Sequence, residues 1–342
     1  MLTIASANRR DLSMISKFIF GMIGLSAFFA AVSPGSAQDK IRLAWAGASP
    51  SNSPIWAMQE RKLLEKQGLQ PEIISIGASP TVLQALLAGE IDAASISVTT
   101  LTASRLAGAD SVMIVGVVPT FVDYIISTSD IKTVEQLRGK TGGVNRVGST
   151  SDLGLRLALR KLGIDSEKDV RIVSAGGNPE RFAALSKGIT QFTIMPEPFA
   201  SEAEKLGFKK LFPINSLKIP FWWNGILTRE ANIKSKRPLM LKLTRAMTEA
   251  IHYLKTDKEG AKALFKKNLG LGDPVALERA YNAYIPIFNE APYPTPDGVK
   301  TMLDYMAVTN PKAAAADPKA FVDMSLVKEV EASGFIKQLY KK

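Results

Sequence analysis

The sequence has no cysteine and only one histidine, His252. The absence of cysteine excludes disulfides, thiolate metal sites, cysteine nucleophiles and the lipid-attached cysteine of a lipoprotein. One histidine excludes a multi-histidine zinc site and leaves a serine–histidine–acid triad a single possible base. Because His252 lies in a helical stretch with no capped loop beside it, we expect no catalytic role for it. We therefore expect no metal site and no cofactor.

The sequence also lacks an apolar run long enough to span a membrane. The run at residues 18–32 has 15 residues, whereas a helix needs about 20 to cross a bilayer. Three cations precede this run and small residues up to Ala37 follow it, which is typical of a cleavable signal peptide. We predict that residues 1–37 are removed by cleavage after about Ala37 and that the remaining chain acts in the periplasm. Residues 8–12 partly resemble a twin-arginine signal, so the export route stays open between that pathway and the general secretory one.

Acidic residues are fewer than basic ones. The chain has 43 lysines and arginines against 32 aspartates and glutamates, which gives a formal net charge of +11. Such a balance can accompany a nucleic acid, a membrane surface or a small anionic ligand. A nucleic-acid surface usually clusters its cations, whereas here they are spread in singles and short pairs from Lys40 to Lys342. We therefore expect no nucleic-acid partner.

Short apolar segments alternate with helical ones after residue 37. Helices are predicted at residues 54–67 and 80–88, where a proline opens the helical spacing and a glycine ends it. This strand–helix order predicts an α/β fold with a mostly parallel sheet covered by helices. The predicted strands are residues 41–46, residues 71–76 as a buried strand, residues 92–96 and residues 112–118.

Residues 73–96 resemble residues 172–195, which lie 99 positions later. Seven of the 24 aligned positions are identical without a gap, and they include Pro80 with Pro179 and Gly89 with Gly188. Proline favours the first turn of a helix and glycine ends a helix, so the shared residues mark the same strand–helix unit twice. We therefore predict two related α/β lobes in succession.

After Trp223 the pattern changes to helices alone. Residues 224–229 complete a strand, and the apolar residues that follow recur at helical spacing with no strand between them. We expect these helices to pack on one lobe or on both. They are predicted at residues 236–255, 258–269, 274–289 and 297–309.

Small polar loops follow the predicted strands of both lobes. In an open parallel sheet the ligand lies beyond the carboxyl ends of the strands, and helix N-termini there attract negative groups. Each hydroxyl alone could simply cap its own helix. Their recurrence in both lobes predicts a cleft that offers neutral donors to a small anionic or zwitterionic solute. The candidate ligand-binding residues are Ser51, Asn52, Ser53, Ser79, Thr81, Ser97, Thr99, Ser149, Thr150 and Ser151.

Charged and aromatic side chains extend this candidate set. Arg146 could bind a carboxylate, sulfonate or phosphate through two hydrogen bonds, or could point to solvent. Glu197 could receive an amine or a ring N–H, or could be a charge in the first turn of a helix. Tyr124 and Trp223 are candidates for the pocket wall. Neighbouring residues in a strand face opposite sides, so one of Trp222 and Trp223 is expected to belong to the core.

Several segments carry a family resemblance: residues 41–45, 54–57, 66–69, 86–93, 137–140 and 196–198. Here the chain resembles the periplasmic substrate-binding proteins of ABC importers for sulfonates, nitrate, taurine and thiamine precursors. The resemblance implies the type II periplasmic binding protein fold, with two lobes hinged by two strands near residues 119–123 and 219–223. Lobe I would comprise residues 38–120 and 222–342, and lobe II residues 121–221.

The same resemblance implies a function. A monomer would close on a small-molecule solute and deliver it to an ABC permease in the inner membrane, without being an enzyme. In such proteins the ligand meets the loops at residues 51–53, 79–81, 97–99 and 149–151. Two alternatives stay open: a sensor that presents its closed form to a membrane receptor, and a lyase or synthase of the same fold. Known synthases of this outline depend on histidine and cysteine chemistry, which this sequence does not favour. The identity and charge of the solute remain open.

Overall fold

The computed structural model describes residues 39–341, and the predicted signal peptide lies outside this range. Ten strands and fifteen α-helices are found within it. The strands are β1 (Asp39–Ala46), β2 (Leu69–Ile76), β3 (Ala93–Ser97), β4 (Ser111–Val118), β5 (Asp123–Ser127), β6 (Thr141–Val144), β7 (Arg171–Ser174), β8 (Phe192–Pro196), β9 (Lys209–Pro213) and β10 (Asn224–Arg229).

The helices fall into two groups, one interspersed with the strands and one after the last strand. The first group is α1 (Ser53–Glu60), α2 (Leu63–Lys66), α3 (Ser79–Ala88), α4 (Val98–Leu106), α5 (Thr150–Lys161), α6 (Asn178–Ser186) and α7 (Phe199–Lys205). The second is α8 (Glu230–Ser235), α9 (Arg237–Thr256), α10 (Lys258–Leu269), α11 (Pro274–Tyr284), α12 (Pro296–Met306), α13 (Pro311–Ala314), α14 (Ser325–Ala332) and α15 (Phe335–Leu339). No helix of the described range combines the length and the apolar character needed to cross a membrane.

The ten strands form two five-stranded sheets with the same topology. The first sheet has the order β2-β1-β3-β10-β4 and the second has the order β7-β6-β8-β5-β9. In each sheet one strand, β10 or β5, is antiparallel to both of its neighbours. The other four strands share one direction, so each sheet is mixed but mostly parallel, as predicted.

The sequence repeat coincides with this topological equivalence. Its first copy covers β2, α3 and β3, and its second copy covers β7, α6 and β8, which occupy equivalent places in the two sheets. Gly89 ends α3 with φ 79° and Gly188 follows α6 with φ 69°. A side chain rarely adopts this left-handed conformation, which explains why glycine stands at both positions.

Three predicted elements differ in the structure. The helix predicted at residues 54–67 is divided into α1 and α2, because Lys62 adopts a left-handed φ of 51° between them. The strand predicted as buried at residues 71–76 is largely exposed, because β2 lies at the sheet edge and pairs only with β1. The helix predicted at residues 274–289 ends as α11 at Tyr284, where a short 3₁₀ turn containing Pro286 follows.

The chain crosses between the sheets twice, at residues 119–122 and at residues 214–223. The two crossing segments lie side by side: the backbone N–H of Phe221 donates to Pro119 O at 3.2 Å, and that of Trp223 donates to Val118 O at 2.9 Å. The rings of Phe121 and Phe221 stack with centroids 4.1 Å apart. These contacts form a compact connection through which both sheets are joined.

Trp222 is the core member of the tryptophan pair. Its side chain is buried and its Nε1–H donates to Thr295 O at 2.8 Å, whereas Trp223 is only partly buried. A Cβ placed on Gly116 would come 2.3 Å from the Trp222 ring, so the ring occupies space that a glycine leaves free. The expectation that one of the two tryptophans belongs to the core is therefore confirmed.

Candidate functional site

The loop after β1 is fixed by amide hydrogen bonds. Asn52 donates through Nδ2 to Ala46 O at 3.1 Å and to Gly47 O at 2.7 Å. Its Oδ1 accepts from Ser95 Oγ at 3.0 Å. Asn224 Nδ2 donates to Ser51 O at 3.3 Å. The predicted residues Ser51, Asn52 and Ser53 are thus buried at the carboxyl end of the first sheet, beside β3 and β10.

The other predicted residues on the first sheet's side divide into two pairs. Ser97 caps α4 by accepting from the Thr100 N–H at 3.4 Å, and its Oγ lies 2.8 Å from Thr99 Oγ1. Ser79 and Thr81 lie in the first turn of α3, beside the edge strand β2, where Thr81 is exposed. Ser97 and Thr99 are therefore near the centre of the sheet, and Ser79 and Thr81 at its edge.

The loop before α5 carries the predicted residues of the second sheet. Ser151 Oγ accepts from the Asn145 N–H at 2.8 Å and lies 3.0 Å from Ser149 Oγ. Arg146 is exposed on this loop. The two loop systems meet where Thr150 Oγ1 lies 3.5 Å from Thr99 Oγ1. The structure thus brings hydroxyls of both sheets together, although several of them also stabilise their own loops.

Glu197 is engaged by groups of its own half of the chain. Its Oε1 accepts from Lys210 Nζ at 2.6 Å, and its Oε2 accepts from Ser201 Oγ at 2.5 Å and from the Ser201 N–H at 3.2 Å. The Lys210 ammonium also lies 4.1 Å from the ring centroid of Tyr124. Both oxygens of Glu197 therefore already have partners, one of them an amine of the protein itself.

Sequence reasoning missed two buried charged residues of the second sheet's half, Asp123 and Arg181. The two side chains are 2% and 4% exposed. Among residues 39–341, neither Asp123 Oδ2 nor Arg181 Nε has a hydrogen-bond partner, and no ion pair within 4.0 Å joins the two groups. Arg181 does donate from its terminal nitrogens to Gly176 O, at 3.5 Å, and to Asn178 Oδ1.

Burial controls the electrostatics of this pair. Desolvation raises the pKa of Asp123 to about 7, although the charge of Arg181 acts in the opposite direction. Desolvation likewise lowers the pKa of Arg181. Burial also raises the pKa of Tyr284, on which the charges of Asp123 and Glu197 act as well. Since Tyr284 ends α11 and contacts Ser49 beside the first sheet, these charges of the second sheet lie close to the first.

Asp123 has an equivalent residue in the first sheet, Asn224. Asp123 opens β5 and pairs with Pro196, the last residue of β8, while Asn224 opens β10 and pairs with Ser97, the last residue of β3. Both side chains are buried, and Asn224 Oδ1, like Asp123 Oδ2, has no hydrogen-bond partner within the described range. Each sheet thus presents one such acceptor oxygen at the start of its antiparallel strand.

Two further buried polar atoms, on the first sheet's side, also lack a hydrogen-bond partner within residues 39–341. Ser53 Oγ and Trp56 Nε1, in the first turn of α1, find no hydrogen-bond partner in the part of the chain that the structure describes. The ring of Trp56 packs edge-on against Trp45, with centroids 5.9 Å apart. Donor and acceptor atoms of both sheets therefore remain available at the ends of the strands.

Polar contacts at the periphery join the two halves of the chain. Lys205 of α7 forms an ion pair with Asp273 at 2.6 Å. Glu204, also of α7, forms an ion pair with Arg279 of α11 at 2.8 Å. Tyr305 of α12 donates to Asp152 Oδ2 of α5 at 2.7 Å. No group of three or more histidines, aspartates and glutamates in residues 39–341 could hold a metal ion.

Comparison with known proteins identifies a family and a fold. The model of the NMT1-like family matches residues 35–267. Comparison with curated proteins gives no match. The structure is similar to the periplasmic aliphatic sulphonate binding protein SsuA from Escherichia coli, with a TM-score of 0.68 and 22% identity over 84% of this chain and 92% of that one.

Two other solved structures are similar to the same extent. The alkanesulfonate-binding protein SsuA from Xanthomonas axonopodis pv. citri, bound to MOPS, has a TM-score of 0.65 and 19% identity over 83% of this chain and 98% of that one. A sulfonate ABC transporter protein, SsuA from Methylobacillus flagellatus, has a TM-score of 0.70 and 14% identity over 87% and 97% of the two chains. The periplasmic binding protein fold expected from the resemblance is confirmed.

Proposed function

Because the chain belongs to the NMT1-like family and has the periplasmic binding protein fold, we propose that it captures a small solute outside the cytoplasm and delivers it to an ABC permease. In this proposal the two sheets are the cores of two lobes, residues 38–120 with 222–342 and residues 121–221. The strands of the first sheet all come from residues 39–118 and 224–229, and those of the second sheet all come from residues 123–213. This separation supports the division into two lobes.

One observation carries the proposal: both halves of the chain have buried polar atoms that find no partner in the described range. They are Trp56 Nε1 and Asn224 Oδ1 on one side, and Asp123 Oδ2 and Arg181 Nε on the other. A buried polar group that makes no hydrogen bond costs about 1–3 kcal/mol. A solute that bonds to atoms of both sheets removes this cost in the closed arrangement only, and so favours closure.

The proposed ligand-binding residues are those near these atoms. They include the buried loop residues Ser51, Asn52 and Ser53, the hydroxyls of Ser97, Thr99, Ser149, Thr150 and Ser151, and the rings of Tyr124 and Trp223. Glu197 is better described as a structural residue, because Lys210 and Ser201 already occupy its oxygens. Arg146, Ser79 and Thr81 lie at the margin and would contribute only if their loops shift on binding.

The test is a thermal-shift screen of the purified protein against alkanesulfonates, nitrate, aliphatic and aromatic carboxylates, and aminopyrimidines. A solute that binds only the folded state at 100 times its Kd stabilises that state by about 2.7 kcal/mol and raises the Tm. Each hit is then titrated by calorimetry and incubated with the protein, and the solute is quantified by mass spectrometry. Binding without consumption supports the proposal. Consumption of the solute would point to an enzyme of the same fold, and no shift with any solute would count against solute capture.

Delivery to a permease needs a separate measurement. Uptake of the labelled solute by cells with and without the gene tests it directly. If the gene is dispensable for uptake but needed for a response to the solute, the protein is a sensor.

A further inference from the structure

The two halves of the chain are residues 39–120 with 222–341, and residues 121–221. Within the described range, backbone hydrogen bonds join these halves only at the crossing segments. Elsewhere in residues 39–341 the polar contacts between the halves are made by side chains alone. Side-chain contacts of this kind break and re-form without unfolding either half. They are therefore the polar contacts that separate when the halves move apart.

Helices α7 and α11 meet across the halves with complementary charges. Lys205 Nζ lies 2.6 Å from Asp273 Oδ2, and an Arg279 terminal nitrogen lies 2.8 Å from Glu204 Oε2. One acid and one base come from α7, and one acid and one base come from α11 with its N-cap residue. A shift of one helix along the other would bring like charges together. The charge pattern therefore favours one arrangement of the two helices.

Asp273 is held in position for its contact with Lys205. Its Oδ1 accepts from the Val275 N–H at 2.9 Å, which caps α11, while its Oδ2 accepts from Lys205 Nζ. The hydrogen bond between them lowers the pKa of Asp273 and raises the pKa of Lys205, so both are charged at neutral pH. An exposed ion pair usually loses much of its value because two mobile side chains must be fixed. Here the capping bond already fixes one of them.

The second ion pair lies near the proposed pocket wall. Burial raises the pKa of Tyr124, and the charges of Glu197, Arg279 and Glu204 act on the same hydroxyl. Tyr124 is one of the proposed ligand-binding residues. Contact between α7 and α11 is therefore made beside the proposed site, where closure brings the two halves together.

We propose that the two ion pairs between α7 and α11 form a latch that favours the closed arrangement before any solute binds. This inference rests on the proposed function, in which the halves are lobes that close on a solute. The latch supplies part of the free energy of closure from the protein itself. When a solute binds only the closed arrangement, its apparent Kd is its intrinsic Kd divided by the closed fraction. The latch thus strengthens binding of every solute of the site by the same factor.

The experiment measures closure in the protein without solute. The sequence has no cysteine, so Leu206→Cys and Val275→Cys introduce the only two sites for nitroxide labels. Both residues are exposed and lie next to the Lys205–Asp273 ion pair along the chain. Pulsed electron paramagnetic resonance then gives the ratio of molecules with a short label distance to molecules with a long one. Circular dichroism establishes that each variant is folded.

Charge reversal and its rescue test the ion pair itself. Glu204→Arg places two cations together and should lower the ratio of short to long distances by about threefold or more. Adding Arg279→Glu restores opposite charges and should return the ratio to within about twofold of the starting value. The matched control Glu329→Arg should leave the ratio unchanged. It reverses the Arg237–Glu329 ion pair, which has the same 2.8 Å length and similar exposure but lies within the first sheet's half.

A salt titration of the labelled protein needs no reversed variant and decides the case if Glu204→Arg fails to fold. Raising sodium chloride from about 20 mM to about 500 mM should lower the same ratio, because salt screens exposed charges. An unchanged ratio in Glu204→Arg or in high salt, no rescue by Arg279→Glu, or only long distances at the start would overturn the latch. These outcomes leave solute capture intact, since they are measured without solute. Failure of every solute to bind in the thermal-shift screen counts instead against the proposed function.

Discussion

Replacing Asp123 by asparagine should remove a large pH dependence of stability. Burial raises the pKa of this carboxyl group from an ordinary 3.8 to about 7 in the folded protein. Well below pH 3.8 the group is protonated in both the folded and the unfolded state and contributes no difference. Between pH 4 and pH 7 the unfolded chain releases the proton first, so the folded state loses stability as the pH rises. Above pH 7 the loss is complete.

The size of the effect follows from the shift of the pKa. A rise from 3.8 to about 7, at about 1.36 kcal/mol per unit, corresponds to about 4 kcal/mol of lost stability above pH 7. The group is fully buried, so solvent screening reduces this value little. The neighbouring groups that act on it are Arg181, which is included in the shift, and the tyrosine Tyr284. Tyr284 stays neutral throughout this range because burial raises its pKa further.

The assay is urea unfolding of the unmodified protein and of Asp123→Asn at half-unit steps from pH 4.5 to pH 8. Titrations shared by the two proteins cancel in the difference of their unfolding free energies. We expect Asp123→Asn to gain stability relative to the unmodified protein as the pH rises, by about 3 kcal/mol between pH 4.5 and pH 8. The control Asp130→Asn should show no such gain, because its exposed carboxyl group has a lowered pKa. A difference that stays flat across the range would refute the argument that Asp123 is buried without an adequate partner.

Three further changes have expected outcomes. Gly116→Ala should destabilise the protein by about 1–3 kcal/mol in urea unfolding, because the new Cβ overlaps the Trp222 ring. The control Gly272→Ala, at a site with open space, should leave the free energy of unfolding unchanged. Glu197→Gln alone should lower the free energy of unfolding by about 3–5 kcal/mol, because it leaves the Lys210 ammonium without its acid. Glu197→Gln combined with Lys210→Met should lower it by less, and equal losses would mean that the two residues are not coupled. Ser53→Ala should weaken solute binding by up to about tenfold in calorimetry, since one neutral hydrogen bond contributes about 0.5–1.5 kcal/mol. The control Thr81→Ala should leave the Kd unchanged, because Thr81 is exposed.

Local signals were sufficient for most of the fold. The helix predicted at residues 258–269 is α10 with the same bounds, because Asp257 caps its start and Gly270 ends it with a left-handed φ of 67°. The repeat located equivalent units of both sheets for the same reason: proline and glycine mark helix ends through short-range geometry. The antiparallel direction of β5 and β10 within their sheets was not predicted, since pairing partners far apart in sequence leave no periodic mark.

Several features of the candidate site depend on tertiary burial, which leaves no mark in the local sequence. Hydroxyl-rich loops were visible in the sequence as small polar segments after strands, and the structure brings Thr99 and Thr150 together. Glu197 looked like a free acid because nothing local reveals that Lys210 of β9 folds back on it. Asp123 entered the sequence analysis only as the end of a predicted crossover, since only the assembled sheets remove it from water.

One signal for the charged pair was nevertheless present in the repeat. Arg181 of α6 aligns with Val82 of α3, and Val82 is fully buried in the core of the first sheet's half. The fold itself therefore accepts an apolar residue at this position, and Arg181 is equally buried without serving the packing that Val82 serves. A charge that replaces an apolar residue at an equivalent buried position must be balanced by a specific partner. The divergence of the two copies at this position is therefore a signal in the sequence that the second copy carries a buried charge to be balanced, which the first copy does not.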